Sequence, residues 1–359
     1  MVFQTVDTGM RFKICIVSEA LRRPFDEGVK LFVFNLIKEL SRDFDVLAIG
    51  RSDNIKGEIE KVCSKALPQN KLFISSYLRS KIKAFNPGLI FYLPTAQATI
   101  YSFLRAKVLK FYGRGTRTIL ITLQPRRYSA IVKKIVPFLA PDLVLAQSEK
   151  TQQTLNGLGC EVKRIASGVD LRKFTPASPG RKEALRSKYG FAADRYIVLH
   201  VGHINRNRNI HFLDQIQQLD AVQAVVIGSS TYPEDKKLVG DLKARGVIII
   251  SGYLEKIEEL YQCADCYLFP VFSEGACIEI PLSIFEAMAC NLPVVTTKYG
   301  GLPNLIRAGH DFRYAESCAE MISELNLLRR RSVSQTRELV KNYSWTNVFR
   351  SVLEASLVE

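Results

Sequence analysis

The chain has 359 residues, 47% of them hydrophobic and 24% charged, a balance that excludes a disordered protein and leaves room for two domains of ordinary size. Its formal net charge of +15 sits almost wholly in one half, with +13 on residues 1–170 and +2 on residues 171–359. Between Glu60 and Asp142 there are fifteen basic residues and no acidic one, so the first half is either a solvated basic surface or one facing an anionic membrane, a polyanionic acceptor or nucleic acid.

Met1 to Gly9 reads as a short polar extension rather than a signal peptide. The compact apolar segment Phe12 to Val17 then predicts a strand, and the spacing of Val29, Phe32, Val33, Leu36, Ile37 and Leu40 predicts a helix over Gly28 to Leu40. Asp43 and Asp45 have the spacing of a metal-binding pair but fall between that helix and the next strand, where turns often carry Asp; no metal site is expected. Short buried strands follow at Asp45 to Ile49, Leu89 to Leu93, Thr118 to Leu123 and Leu143 to Ala146, with helices such as Ala96 to Lys110 and Ser129 to Leu139 between them. Such alternation implies a parallel sheet covered on both faces.

A linker rich in Pro and Gly, Ser167 to Gly180, comes next. The pattern then restarts, with strands at Tyr196 to Val201, Ala224 to Ile227, Val247 to Ile250, Cys266 to Phe269 and Val294 to Thr296, and a last helix over Thr346 to Leu357 beside Trp345. The expected fold class is therefore α/β, with two doubly wound Rossmann-like domains. The eight cysteines form no disulfide or zinc framework, which fits a reducing cytosol, and Cys263 and Cys266 read as small core residues. No apolar run is long enough to span a membrane. A cytoplasmic protein is expected, one that would meet a membrane only at its inner face.

A nicotinamide or flavin enzyme needs a glycine-rich turn after the first strand, but Ser18 to Gly28 holds one glycine, at the helix start. Gly28 is either a helix-initiating residue or a gap through which a sugar or phosphate approaches the helix N-terminus. The second half carries more. A helix beginning at Pro281 or Ser283 would offer free backbone N–H groups to a diphosphate. Glu286, one turn in, could accept both hydroxyls of a ribose. The basic loop Gly202 to Asn209 lies at a strand's carboxyl end, where open sheets bind ligands.

In order, Glu27-Gly28, Gly168-Val169-Asp170 with Phe174 and Pro176, Val201-Gly202 to Arg208, Glu286-Ala-Met-Ala with Pro293-Val-Val, Gly300-Gly301 and Tyr343-Ser-Trp345 resemble the motifs of the retaining GT-B enzymes called family-4 glycosyltransferases, or glycosyl transferases group 1. The resemblance runs over nearly the whole chain and implies an acceptor-binding domain over 1–172, a nucleotide-sugar domain over 173–342 and a final helix, 343–359, crossing back onto the first domain. It implies a metal-independent hexosyltransferase that retains configuration, takes a UDP- or GDP-linked sugar as substrate without a cofactor, and serves cell-surface polysaccharide or glycolipid synthesis. The expected partners are the nucleotide sugar, a lipid-linked or saccharide acceptor and an anionic membrane surface.

On this resemblance Arg208, Glu279 and His203 are the expected catalytic residues; Gly28, Gly202, Tyr253, Pro281, Leu282, Ser283 and Glu286 the donor site; and Asp26, Glu27, Gln124 and Arg126 the acceptor side. The sequence departs from the family at four places. His203 replaces the usual arginine, which leaves Arg208 as the main phosphate cation. The position of the first of two glutamates falls on Ile278, with Glu279 beside it, expected to reach the donor sugar. Gln124 stands where the first domain often has a histidine, and Asn304 replaces a glutamate after Gly-Gly-x-Pro. Arg208, His203 and the helix amides would stabilise charge on the leaving diphosphate. The strands from 61 to 141 offer no carboxylate nucleophile, which together with the resemblance favours same-face attack. Competing readings are a nucleotide-sugar epimerase or hydrolase on the same fold and a basic nucleic-acid-binding protein.

Overall fold

A computed structural model describes residues 11–51, 63–66, 70–95, 97–229, 234–309, 311–330 and 334–357. Expectations placed on Met1 to Gly9, Ala96 and His310 lie outside the described residues. The first domain alternates β1 (Lys13–Ser18), α1 (Gly28–Leu40), β2 (Asp45–Gly50), β3 (Cys63–Ala66), α2 (Ser76–Phe85), β4 (Leu89–Leu93), α3 (Ile100–Tyr112), β5 (Thr118–Ile121), α4 (Ala130–Leu139), β6 (Leu143–Ala146), α5 (Glu149–Asn156) and β7 (Val162–Arg164). Its strands line up as β3-β2-β1-β4-β5-β6-β7, all parallel. Burial of all five residues of β4 is what a sheet covered on both faces requires.

The second domain runs α6 (Arg181–Tyr189), β8 (Tyr196–Val201), two 3-10 turns over Arg206–Arg208 and Ile210–Phe212, α7 (Leu213–Gln217), β9 (Val222–Gly228), α8 (Lys236–Ala244), β10 (Ile248–Ser251), α9 (Ile257–Cys263), β11 (Cys266–Phe269), α10 (Leu282–Ala289), β12 (Val294–Thr296), α11 (Leu302–Leu305), β13 (Phe312–Tyr314), α12 (Cys318–Leu328), α13 (Thr336–Val340) and α14 (Trp345–Leu357). Its sheet, β10-β9-β8-β11-β12-β13, is also parallel throughout. The fold is therefore the expected pair of doubly wound domains. β3, β7 and β13 were not anticipated, and the other strands differ from expectation by two residues or fewer at each end. Cys263 and Cys266 are buried free thiols, while Asp43 lies in a turn and Asp45 opens β2. Among the described residues no helix is long and apolar enough to cross a membrane.

Two features join the domains. After α13, α14 returns to α1, where Trp345 and Phe349 stack at 5.2 Å and both meet Phe32 edge-on, at 5.7 and 5.4 Å. A side chain on Gly168 would put its Cβ 2.4 Å from the Trp345 ring, so the linker can pass beneath the indole only as glycine. The other face of the first sheet is covered by α2, α3, α4 and α5; α4 buries Val136 fully in that core and packs Val132 and Leu139 partly against it, leaving Ile131, Ile135 and Phe138 exposed.

Candidate functional site

The carboxyl ends of the two sheets face each other across a cavity of about 390 Å³. Each sheet reverses its strand order beside its first strand, and the loops after β1 and β8 open into this space, the place where open parallel sheets bind ligands.

Arg208 lies on the second domain's side and is buried, with 8% of its surface exposed. Its backbone N–H is held by Asn205 Oδ1 at 3.1 Å and its Nε donates to the Ala276 carbonyl at 3.3 Å. Gly202 makes room for the guanidinium: a Cβ there would lie 2.2 Å from Nη1. Among the described residues no carboxylate pairs with this cation. A buried guanidinium so placed is unfavourable until an anion reaches it. His203 stands nearby, but burial, aided by the charge of Arg208, pushes its imidazole down to about 4. That shift favours the neutral imidazole over a second cation beside Arg208.

α10 begins in the same cavity. Its N-cap is Pro281, which leaves the first turn without a side-chain cap, and Leu282 and Ser283, whose backbone N–H groups have no partner within the helix, line the cavity. The Tyr267 hydroxyl lies 2.7 Å from Ser283 Oγ and 3.3 Å from the Val201 carbonyl, fixing the loop after β8 against this turn. One turn on, Glu286 accepts a 2.7 Å hydrogen bond from the buried Tyr261. Burial pushes the Glu286 carboxyl up to about 7 despite that bond. Arg208, the α10 amides and Glu286 thus present a cation, N–H donors and a carboxylate in sequence, which matches the phosphates and ribose of a nucleoside diphosphate.

From the first domain, Asp26, Glu27, Gly28 and Gln124 line the cavity. Asp26 Oδ2 accepts from Ser229 Oγ of the second domain at 3.1 Å, and Lys30 Nζ lies 3.5 Å from Asp26 and 3.4 Å from Glu27. At Gly28 the second domain comes close, since a Cβ there would meet Ile278 Cδ1 at 2.7 Å. Gly202, Tyr253, Pro281, Leu282 and Ser283 also line the cavity, with Tyr253 more than half exposed.

Two expected residues are elsewhere. Arg126 is exposed and donates to Gln97 Oε1 at 2.9 Å, away from the cavity. Glu279 points into the first domain and is not among the residues that line the cavity. It accepts hydrogen bonds from Ser148 Oγ and, at 2.8 Å, from Thr151 Oγ1 at the N-terminus of α5, while its backbone N–H donates to the Leu123 carbonyl at 2.8 Å. Ile278 takes the cavity wall, while Glu279 makes a contact between domains. Burial raises its carboxyl above the usual range. Asn304 makes a similar link, with Nδ2 3.4 Å from Glu149 Oε2. Ser229 and Lys173 also line the cavity and were not anticipated, although Gly228-Ser229 ends a strand at the carboxyl edge and could have been marked on that ground. Among the described residues no His, Cys, Asp and Glu side chains gather into a group able to hold a metal ion.

Residues 195–328 match the family described as glycosyl transferases group 1. Spore coat protein SA of Bacillus subtilis is 29% identical over 223 residues, covering 54% of this chain and 58% of that protein. D-inositol 3-phosphate glycosyltransferase of Mycobacteroides abscessus is 29% identical over 208 residues, covering 53% of this chain and 45% of that one. The matched segments thus span about half the length of the curated relatives. Among solved structures, Anabaena Alr3699/HepE in complex with UDP-glucose superposes with a TM-score of 0.75 at 18% identity, covering 96% of this chain and 98% of that chain, which assigns the fold as GT-B.

Proposed function

We propose, on the premise that the second domain belongs to the glycosyl transferases group 1, that this chain moves a sugar from a nucleoside diphosphate to an acceptor hydroxyl. The observation that carries this reading is the buried Arg208 without a carboxylate partner, set beside the uncapped N-terminus of α10 and followed by Glu286. Charge develops on the diphosphate as the bond to the anomeric carbon breaks, and a preorganised guanidinium with helix amides stabilises that charge more in the transition state than in the ground state.

The reaction is read as retaining, free of metal and of cofactor. Of the first-domain carboxylates at the cavity, Asp26 is tied to Lys30 and Ser229 and Glu27 lies against Lys30, a poor arrangement for a nucleophile and a good one for orienting an acceptor. Same-face attack, with the leaving phosphate taking the acceptor's proton, fits these groups. The acceptor is read as a lipid-linked or saccharide intermediate of cell-surface glycan synthesis, handled at the inner face of an anionic membrane. Thermal stabilisation across UDP, GDP and ADP and their sugars tests the donor site. One nucleotide should raise Tm, with the shift lost in Glu286→Ala; no shift with any nucleotide would withdraw the assignment. Release of free sugar in place of a glycoside would point instead to a hydrolase.

The Glu286 carboxyl sets a pH dependence. Ribose hydroxyls donate to the ionised form, so nucleotide binding lowers a value that stands near 7 in the free protein. Affinity should therefore rise as pH climbs through about 7 and level off above it, changing roughly tenfold per pH unit below the midpoint. In Glu286→Gln the profile should be flat, as titration calorimetry at several pH values would reveal. For the free protein the sign is opposite. The raised carboxyl favours the fold most below its unfolded value, and this contribution is lost as pH rises through about 7.

A further inference from the structure

The chemistry of the cavity leaves the outer surface of α2, α3 and α4 without a role. α4 reads Ala130-Ile-Val-Lys-Lys-Ile-Val-Pro-Phe-Leu139, an apolar helix that turns Val136 fully and Val132 and Leu139 partly to the core and leaves Ile131, Ile135 and Phe138 outside it. Phe138 is 76% exposed, Ile131 72%, Phe111 on α3 66%, and Ile74, just ahead of α2, 65%. These side chains share one continuous surface. α3 packs against both α2 and α4, the Arg79 guanidinium of α2 lies 5.4 Å over the Phe111 ring, and Lys107 of α3 donates to the Phe138 carbonyl at 2.8 Å. Lys133 and Lys134 stand exposed between Ile131 and Ile135, inside the long stretch that has no acidic residue.

Protruding aliphatic and aromatic side chains interleaved with lysine and arginine mark a contact surface. We propose that this face docks on an anionic phospholipid bilayer, with Ile131, Phe138 and Phe111 entering the boundary between headgroups and acyl chains and the neighbouring lysines and Arg79 meeting the headgroups. A bilayer offers negative charge and hydrocarbon within a few ångströms of each other. Nucleic acid offers the charge but rewards flat stacking rings rather than isoleucine. A second copy of the same face would set like charge against like charge. α4 starts a few residues after Gln124, at the carboxyl end of β5, so a bilayer on this face brings the first domain's side of the cavity to the headgroup layer.

The inference deepens the acceptor part of the reading above, and its test involves no catalysis. The whole chain is sedimented with vesicles of phosphatidylcholine alone and of phosphatidylcholine mixed with phosphatidylglycerol. Binding is expected to the mixed vesicles only, and to weaken with salt. Ile131→Asp with Phe138→Asp, and separately Lys133→Glu with Lys134→Glu, should each weaken it by at least about tenfold, with Tm and nucleotide binding unchanged. Unchanged Tm and nucleotide binding separate a failure of this face from a failure of the donor site. Absence of binding to either vesicle, or binding that both double variants keep, would overturn the proposal. So would a dimer abolished by the aspartates, or RNA binding abolished by the glutamates while vesicle binding stays intact; these outcomes would give the face to a second copy or to nucleic acid.

Discussion

Arg208→Ala will lower kcat/KM for sugar transfer by about a thousandfold, corresponding to roughly 4 kcal/mol of lost transition-state stabilisation. The size follows from the setting. The guanidinium is buried, anchored through Ala276 and admitted by Gly202, while burial of His203 beside it disfavours a charge there. Nucleotide affinity should fall less than kcat, because charge on the diphosphate grows as the glycosidic bond breaks. Arg208→Lys keeps a cation but loses the planar fork that can hold two phosphate oxygens, so it should fall between wild type and alanine. Steady-state kinetics with nucleotide titration checks all three. If the alanine variant raised KM and left kcat intact, Arg208 would be a ground-state anchor and the stabilisation of the leaving group would lie elsewhere.

The same residue shows how far a sequence can be read. Arg208 and Glu286 stand where strand ends and helix starts put them, and both could be placed because β8 and α10 are long enough to leave a pattern: an apolar run in one case, a proline-led helix in the other. The strands that escaped notice are short and lie at or beside sheet edges. β7 is Val162-Lys-Arg164 with one buried residue, and β13 is Phe312-Arg-Tyr314 with one; neither shows the apolar run of a central strand. Glu279 takes an orientation that escapes the sequence for a different reason. Its distance along the chain from Glu286 is one residue short of the family spacing, and spacing cannot say toward which domain a loop side chain points. That direction is set by contacts across the domain boundary, to Ser148 and Thr151 for Glu279 and to Gly28 for Ile278, which no local pattern encodes. The charge of the first half is legible from composition alone, whereas the exposure of Ile131, Ile135 and Phe138 beside it depends on how α4 sits on the sheet, which no local pattern encodes.

The contact that redirected Glu279 also predicts the second large effect. Gly301→Ala should lower kcat by about a hundredfold while leaving nucleotide affinity nearly unchanged. Gly301 follows β12 in the second domain, and its backbone conformation would suit any residue; the constraint is space, since a Cβ there would lie 2.2 Å from the Gln147 carbonyl oxygen of the first domain. Neither backbone is free to yield. Gly301 N–H donates to the Glu279 carbonyl at 2.9 Å, and the Gln147 side chain accepts from Ile280 N–H at 3.1 Å and donates to Ser167 Oγ at 2.8 Å. Relief must come from moving one domain away from the other by about an ångström, which stretches the Glu279 contacts and misplaces Asp26 and Gln124 relative to Arg208. On the proposed assignment the nucleotide binds mainly to the second domain and its affinity survives the shift, whereas transfer needs groups from both. Calorimetric affinity for the nucleotide and kcat for transfer, measured on the same preparation, separate the two effects. Equal losses in both would mean that the alanine distorts the second domain internally, and the junction at Gln147 would then have no part in aligning the halves of the site.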